Sequence, residues 1–184
     1  QMCIRDRAMP TDIHPANERV RAAAGKRGVS IEIVSFAEST HTAQEAADAI
    51  GVELGQIVKS LVFMAPVVAR DDAGVEPLLA LVRGTDRVDI AKLASATARP
   101  RLRRASAKEA KAATGYSIGG VPPFGHAHKI DVVMDPALDG YEEVWAAAGT
   151  PTTVFPIAPG TLAMLADALV APCAADITPA ASDA

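Results

Sequence analysis

The sequence predicts a mixed α/β domain, on three observations. Two apolar runs, Val58–Val68 (VKSLVFMAPVV) and Glu76–Arg83 (EPLLALVR), flank the turn-forming segment Arg70–Gly74 (RDDAG). That is the pattern of an antiparallel hairpin. Two other segments open on a Thr/Ser-x-x-Glu capping box, Thr42 with Glu45 and Ser106 with Glu109, which marks helix starts. Strand-like and helix-like segments interleave without strict alternation, and no internal repeat is visible, so neither a pure helical bundle nor a strict βαβ array fits.

Taken in order, Asn17–Arg27 has helical composition, with Gly28 where a helix would stop. Ser30–Phe36 alternates and is rich in β-branched residues, which predicts a strand. The Thr42 box opens a helix through Ile50, closed by Gly51. The hairpin follows, then a short helix over Asp89–Ala96. The Ser106 box opens a helix that ends at Gly115. Lys129–Met134 reads as a strand and Asp135–Pro136 as a turn. Val144–Ala148 and Thr152–Ile157 read as strands joined at Gly149–Pro151. Pro159–Leu169 closes the series as a helix with proline near its first turn. At the ends, Gln1–Arg7 (QMCIRDR) differs from the rest and precedes Met9. We read residues 1–9 as a non-native or disordered leader, 10–176 as one domain and 177–184 as a disordered tail.

Composition narrows the function. With 184 residues, 49% hydrophobic and 22% charged, the chain can bury a proper core. The net charge of −4 supplies no global field for nucleic acid, so any RNA contact must be local and small. Cys3 and Cys173 lie at opposite ends and give no disulfide framework or metal-ligand spacing. The longest apolar run is broken by Lys59 and Pro66 and is too short to span a bilayer. A cytoplasmic location, with no membrane partner, is the default expectation. No G-x-S-x-G or P-loop signature is present, which argues against serine-hydrolase and NTPase chemistry.

Two features could carry chemistry. The first is Thr114–His128 (TGYSIGGVPPFGHAH), with four glycines and two prolines. Such a segment specifies one irregular loop. Gly119 and Gly120 can present backbone N–H groups to an oxyanion without a Cβ in the way. Val121 and Pro123 would wall the pocket, and His126 would order the loop or line it. The alternative is an ordinary structural turn. The second feature is Lys59, which shares a strand face with Ile57, Leu61 and Phe63. Its ammonium emerges among apolar neighbours, where it needs an anionic or carbonyl partner. The alternative is an edge-strand lysine that blocks aggregation. Ser60 beside it is a substrate-binding hydroxyl or a solvated or core one. His126 and His128 form an H-x-H pair, but no Cys or acidic residue has ligand-like spacing nearby, so no metal is expected. The basic cluster Arg99, Arg101, Arg103, Arg104, Lys108 and Lys111 is either a contact for nucleic-acid phosphates or a solvated face.

From about Thr40 to Val170 the chain resembles the YbaK-like family of aminoacyl-tRNA deacylases, related to the editing domain inserted in bacterial prolyl-tRNA synthetases. The matching segments are IVKSLVF around Lys59, LALVRGTDRVD at Leu79–Asp89 and TGYSIGGVPPFGH at Thr114–His126. The resemblance implies a barrel-like mixed, largely antiparallel sheet flanked by helices. It implies that Lys59 holds the phosphate or terminal adenosine of an aminoacyl-tRNA, and that Gly119–Pro123 is the family's G-x-x-x-P element. It further implies trans-editing: hydrolysis of the ester on a tRNA mischarged with a small amino acid, without a cofactor. The partner would be the acceptor end of an aminoacyl-tRNA, and beyond it an aminoacyl-tRNA synthetase. Cysteine-specific members of the family carry a G-x-R-G-L-D-like run near the end. Here Gly149–Phe155 (GTPTTVF) lacks both the arginine and the aspartate, so the cysteine assignment does not transfer. Two other readings stay open: a non-catalytic module that binds an aminoacyl or nucleotide ligand, and an esterase for small acyl substrates.

Overall fold

The structure, a computed structural model, describes residues 14–36, 42–67 and 74–176. The leader, most of the Arg70–Gly74 turn and the C-terminal tail lie outside the described residues. Five helices are present among them: α1 (Pro15–Lys26), α2 (Ala43–Ile50), α3 (Ile90–Thr97), α4 (Ala107–Thr114) and α5 (Pro159–Ala166). Both capping boxes form. Thr42 Oγ1 accepts from the Glu45 N–H at 3.1 Å and the Glu45 carboxylate accepts from the Thr42 N–H at 3.1 Å. Ser106 and Glu109 repeat the exchange. Each of these helices ends on a glycine in the left-handed region, Gly51 at φ 84° and Gly115 at φ 83°, a conformation that would cost a residue with a Cβ.

The hairpin pairs β2 (Val58–Pro66) with β3 (Val75–Arg83) over nine positions, from Val58 opposite Arg83 to Pro66 opposite Val75. β4 (Arg103–Arg104) pairs antiparallel with the outer edge of β2, at Phe63 and Met64. On the other side β5 (Asp131–Met134) runs parallel to β3, and β8 (Leu169–Val170) parallel to β5. The long connection through α3 and α4 is the crossover that parallel pairing requires. A second sheet joins β1 (Val34–Ser35), β7 (Thr153–Ile157) and β6 (Val144–Ala147), all antiparallel. The two sheets meet at one isolated bridge, Ile57 with Trp145, and do not close into a barrel. The fold is therefore the expected mixed, mostly antiparallel α/β domain, built as two sheets.

Both faces of the larger sheet are covered, so β2 and β3 are near-continuous apolar runs rather than alternating ones. On one face Val58, Val62, Met64, Leu79 and Leu81 join the main core, which also holds Val20, Phe124, Phe155 and Leu162. On the other, Phe63, Ala65, Leu78, Ala80 and Val82 pack with Leu93 of α3 and with Cys173. A side chain such as Leu79, fully buried, contributes ~1.5–3 kcal/mol.

Three elements differ from expectation. The first helix starts at Pro15, with His14 Nδ1 capping the Ala16 N–H, so Asn17 sits inside the first turn. Asn17 is buried, and its amide donates to the Ala148 carbonyl at 2.8 Å and to Thr153 Oγ1 at 2.7 Å. The strand expected at Ser30–Phe36 pairs only at Val34–Ser35, opposite Val154 and Thr153 of β7. The last helix stops at Ala166 on a left-handed Asp167, which frees Leu169 to enter β8.

Candidate active site

Along the outer edge of β2, pairing with β4 covers only Phe63 and Met64, while the Trp145 bridge reaches only Ile57. The backbone of Val58–Leu61 faces the gap between these two contacts. The gap opens into a cavity of about 580 Å³. Its lining includes Lys59 and Ser60 from β2, Asp86, Arg87 and Arg104 from flanking turns and β4, and Gly119 and Val121 from the glycine/proline loop. Thr150, Pro151 and Thr153 from the β6–β7 turn complete the wall opposite.

Lys59 and Ser60 reach the cavity from opposite faces of the strand, since adjacent residues alternate. Lys59 Nζ donates to the Asp86 carbonyl at 3.0 Å. Burial holds the Lys59 ammonium below the usual lysine range, and the charges of Arg87 and Arg104 push the same way, while Asp86 opposes them. The Asp86 carboxylate is buried and already engaged, accepting from Arg83 Nε at 2.7 Å, Arg83 Nη2 at 3.1 Å and Thr85 Oγ1 at 2.9 Å. Ser60 Oγ and Trp145 Nε1 are buried with no hydrogen-bond partner among the described residues, and both residues line the cavity. An unpaired buried donor is costly, so each is a position where a bound ligand's polar atom would be stabilised.

The loop is pinned rather than loose. Thr114 Oγ1 donates to the Ala110 carbonyl at 2.7 Å and accepts from the Tyr116 N–H at 3.0 Å. Tyr116 Oη donates to the Gly125 carbonyl at 2.8 Å, and the Arg19 guanidinium of α1 lies 4.8 Å from the centre of the Tyr116 ring. Within the loop, the two glycines divide the roles expected of both. Gly119, at φ 90°, lines the cavity. Gly120 is buried behind it, and its N–H closes the turn by donating to the Ser117 carbonyl at 3.0 Å. That N–H is therefore not free for an oxyanion. A Cβ at Gly120 would stand 2.7–2.8 Å from the Thr150 backbone, so the residue is glycine because the loop packs directly on the β6–β7 turn.

Pro123 is buried and does not line the cavity, and neither does His126. His126 Nε2 lies 2.7 Å from the Pro122 carbonyl, which can only accept, so this nitrogen carries the proton. Burial lowers the His126 pKa, which keeps the ring neutral at pH 7, with the Pro122 bond opposing the shift. His126 thus orders the loop, and His128 is exposed. Sequence reasoning assigned no role to Asp86, Arg87 or Trp145. The first two sit in the LALVRGTDRVD segment, which supplied the only signal for them.

The basic cluster separates into two kinds of residue. Arg99 pairs with Glu76 and Asp131, and Arg103 with Glu109 at 2.6 Å. Arg104 lines the cavity instead. Among the described residues the lining holds no histidine or cysteine and no base touches Ser60 Oγ, so none of these side chains is an activated nucleophile. What the arrangement can do is hold an anion at Lys59 and the arginines, and fix an already activated acyl group against Gly119 for attack by water.

Fold and site together define a mixed α/β domain with one cavity lined by Lys59, Arg87 and Arg104 on one side and by the glycine/proline loop on the other. The chain belongs to the aminoacyl-tRNA editing domain family, whose model matches residues 37–165. The Bacillus subtilis (strain 168) protein YwhH, itself uncharacterized, is 32% identical over 131 residues, covering 71% of this chain and 78% of that one. The multifunctional Ser/Thr-tRNA deacylase ProXp-y of Escherichia coli (strain K12) is 27% identical over 134 residues, 72% of this chain and 77% of that one. Among solved structures, a candidate trans-editing enzyme for prolyl-tRNA synthetase superposes with a TM-score of 0.79 at 41% identity, covering 90% of this chain and all of that chain.

Proposed function

We propose that this protein is a trans-editing aminoacyl-tRNA deacylase that hydrolyses the ester of tRNA mischarged with a small amino acid. The observation that carries the reading is that one cavity is lined by Lys59, Gly119 and Val121 together, with no activated nucleophile among its described residues. Lys59 would hold the 3′-terminal nucleotide. Gly119 would present backbone to the developing oxyanion, and Ser60 would bind the aminoacyl moiety. Val62, Ala105, Ala110 and Val121 form an apolar patch of modest side chains in the same lining, which suits a small acyl group. One methylene is worth only about 1–3 kcal/mol in such a pocket, so several small amino acids should be accepted. Gly120, Pro123 and His126 support this wall from behind. Family membership and the likeness to a candidate prolyl-tRNA synthetase trans-editing enzyme support a role beside a synthetase.

The test is a panel of mischarged tRNAs offered to the purified protein. Release of alanine, serine, threonine or cysteine, with little release of phenylalanine or leucine, is the expected result. Saturable binding without turnover of any ester would replace the enzyme by a binding module of the same fold.

A further inference from the structure

Three cations meet at the mouth of the cavity, more than one terminal phosphodiester can neutralise. Lys59 stands on the strand face that carries Leu61 and Phe63, and Arg104 lies directly opposite Phe63 in the β2–β4 register, so the two side chains share that face. Arg87 reaches the same lining from the turn after β3. The nearest acid cannot balance them, since the Asp86 carboxylate is held by Arg83 and Thr85. Among the described residues, Arg87 and Arg104 form no salt bridge, in contrast to Arg83, Arg99 and Arg103, each of which has a carboxylate partner. Both are exposed, so their charge faces solvent and any incoming ligand.

The backbone beneath them is fixed. The Asp86 carbonyl accepts from Lys59 Nζ, and the Arg87 carbonyl accepts from the Ala175 N–H at 2.8 Å. The C-terminal segment thereby anchors the turn that carries Arg87. Arg104 is set by β4, whose following residue Ala105 donates its N–H to the Val62 carbonyl at 3.0 Å. Two exposed apolar side chains, Ile90 and Ile118, also line the opening. Cations on a fixed frame with apolar surface between them suit a single-stranded nucleotide chain, which alternates phosphates with base faces.

We infer that Lys59, Arg87 and Arg104 form a clamp for consecutive phosphodiesters of the single-stranded 3′ end of the RNA, with Arg87 and Arg104 as positioning residues upstream of the ester. The inference rests on the proposed editing function for the identity of the strand. It adds that substrate is gripped through more than its last nucleotide. A 3′-O-aminoacyl adenosine, which has the ester but no phosphodiester, would miss the clamp.

The experiment compares Arg87→Gln, Arg104→Gln and the double variant on aminoacylated tRNA and on the matching 3′-O-aminoacyl adenosine, across a salt series. Each substitution is expected to raise KM for the tRNA about tenfold, the low end for a charge-assisted contact. Each should reduce the slope of log KM against log salt by about 0.7, the value for one phosphate of a single strand. KM for the adenosine ester should move far less than KM for the tRNA. An unchanged tRNA KM and salt slope in the double variant would overturn the clamp while leaving the editing reading standing. An equal loss on both substrates would also overturn it, because the arginines would then serve the fold or the ester itself. If the wild type releases no amino acid from any tRNA, the editing reading fails, and the clamp is decided by binding of an uncharged single-stranded RNA oligonucleotide. There, loss of the arginine-dependent salt slope supports the clamp, and salt-independent or absent binding rejects it.

Discussion

The two halves of β2 differ in what lies along one edge. Val62–Pro66 is held by β3 on one side and, at Phe63 and Met64, by β4 on the other, with side chains that are nearly all buried. Val58–Leu61 has the same partner in β3, but its outer edge faces a cavity. The composition barely changes between the halves, apart from Lys59 and Ser60. The lesson is that the site lies where the sheet leaves one strand edge unpaired, and that two polar residues in an otherwise core strand mark the place.

The contrast can be broken most forcefully in the core half. Met64→Ala should cost about 2–5 kcal/mol of stability, because this buried side chain belongs to the main core and does not line the cavity. Chemical denaturation reads this as a shift of midpoint with little change in slope. The site half should answer in the opposite currency. Lys59→Ala should lower deacylation roughly tenfold to over a hundredfold, the loss of a charge-assisted contact of about 1.5–3 kcal/mol, with the denaturation midpoint close to wild type. A variant that loses both activity and stability would erase the distinction between the halves.

Gly119→Ala tests the loop side of the cavity. A Cβ there meets only Pro151 at 3.9 Å, so the space exists, but φ 90° strains any residue other than glycine. About 1–2 kcal/mol of stability should be lost, with kcat falling more than KM rises if the backbone at Gly119 faces the oxyanion. Gly120→Val is a poorer probe, because its Cβ would collide with the Thr150 backbone and disturb the packing of the whole loop.

The smallest effect is one of pH and concerns the edge strand that seals the core half. Glu109 is held at a pKa of about 2, first by the Arg103 guanidinium and then by its bonds to Ser106. Its folded value lies below its unfolded one. The stabilisation is therefore present above the unfolded pKa and is lost as pH falls through the window from about 4.5 to about 2. Glu109→Gln should flatten the acid limb of the stability profile in that window, lowering stability slightly at neutral pH and leaving it unchanged near pH 2, where Glu109 is itself protonated.

Much of this architecture was legible because it is local. The two capping boxes, the glycines that end α2 and α4, and the β2–β3 hairpin are each specified within a few residues, and each appears as expected. The parallel placement of β5 beside β3 was not legible, since it depends on contacts some fifty positions apart in sequence. Neither were the two-residue strands β4 and β8, which are too short to leave a periodic signal. In the site, Lys59, Ser60, Gly119 and Val121 stood out because their residue types are out of place in a core run or require special backbone. Gly120 and His126 stood out for the same reason but serve packing, and only the Ser117 and Pro122 carbonyls reveal it. Arg87 looked like any surface arginine until the turn brought it beside Lys59.

Helix α1 lies outside residues 37–165, the span matched by the family, yet Asn17 bonds Ala148 and Thr153, and a Cβ added at Gly149 would stand 2.9–3.0 Å from the Ala16 backbone, so this turn packs against α1 only as glycine. The turn so braced supplies Thr150, Pro151 and Thr153 to the cavity. The limits of inheritance and the limits of mechanical integrity are thus different lines on this chain. A fragment excised at residue 37 would keep every residue of the motif, yet it would leave the Ala148 carbonyl unpaired and strip Val20 and Ala24 from the core.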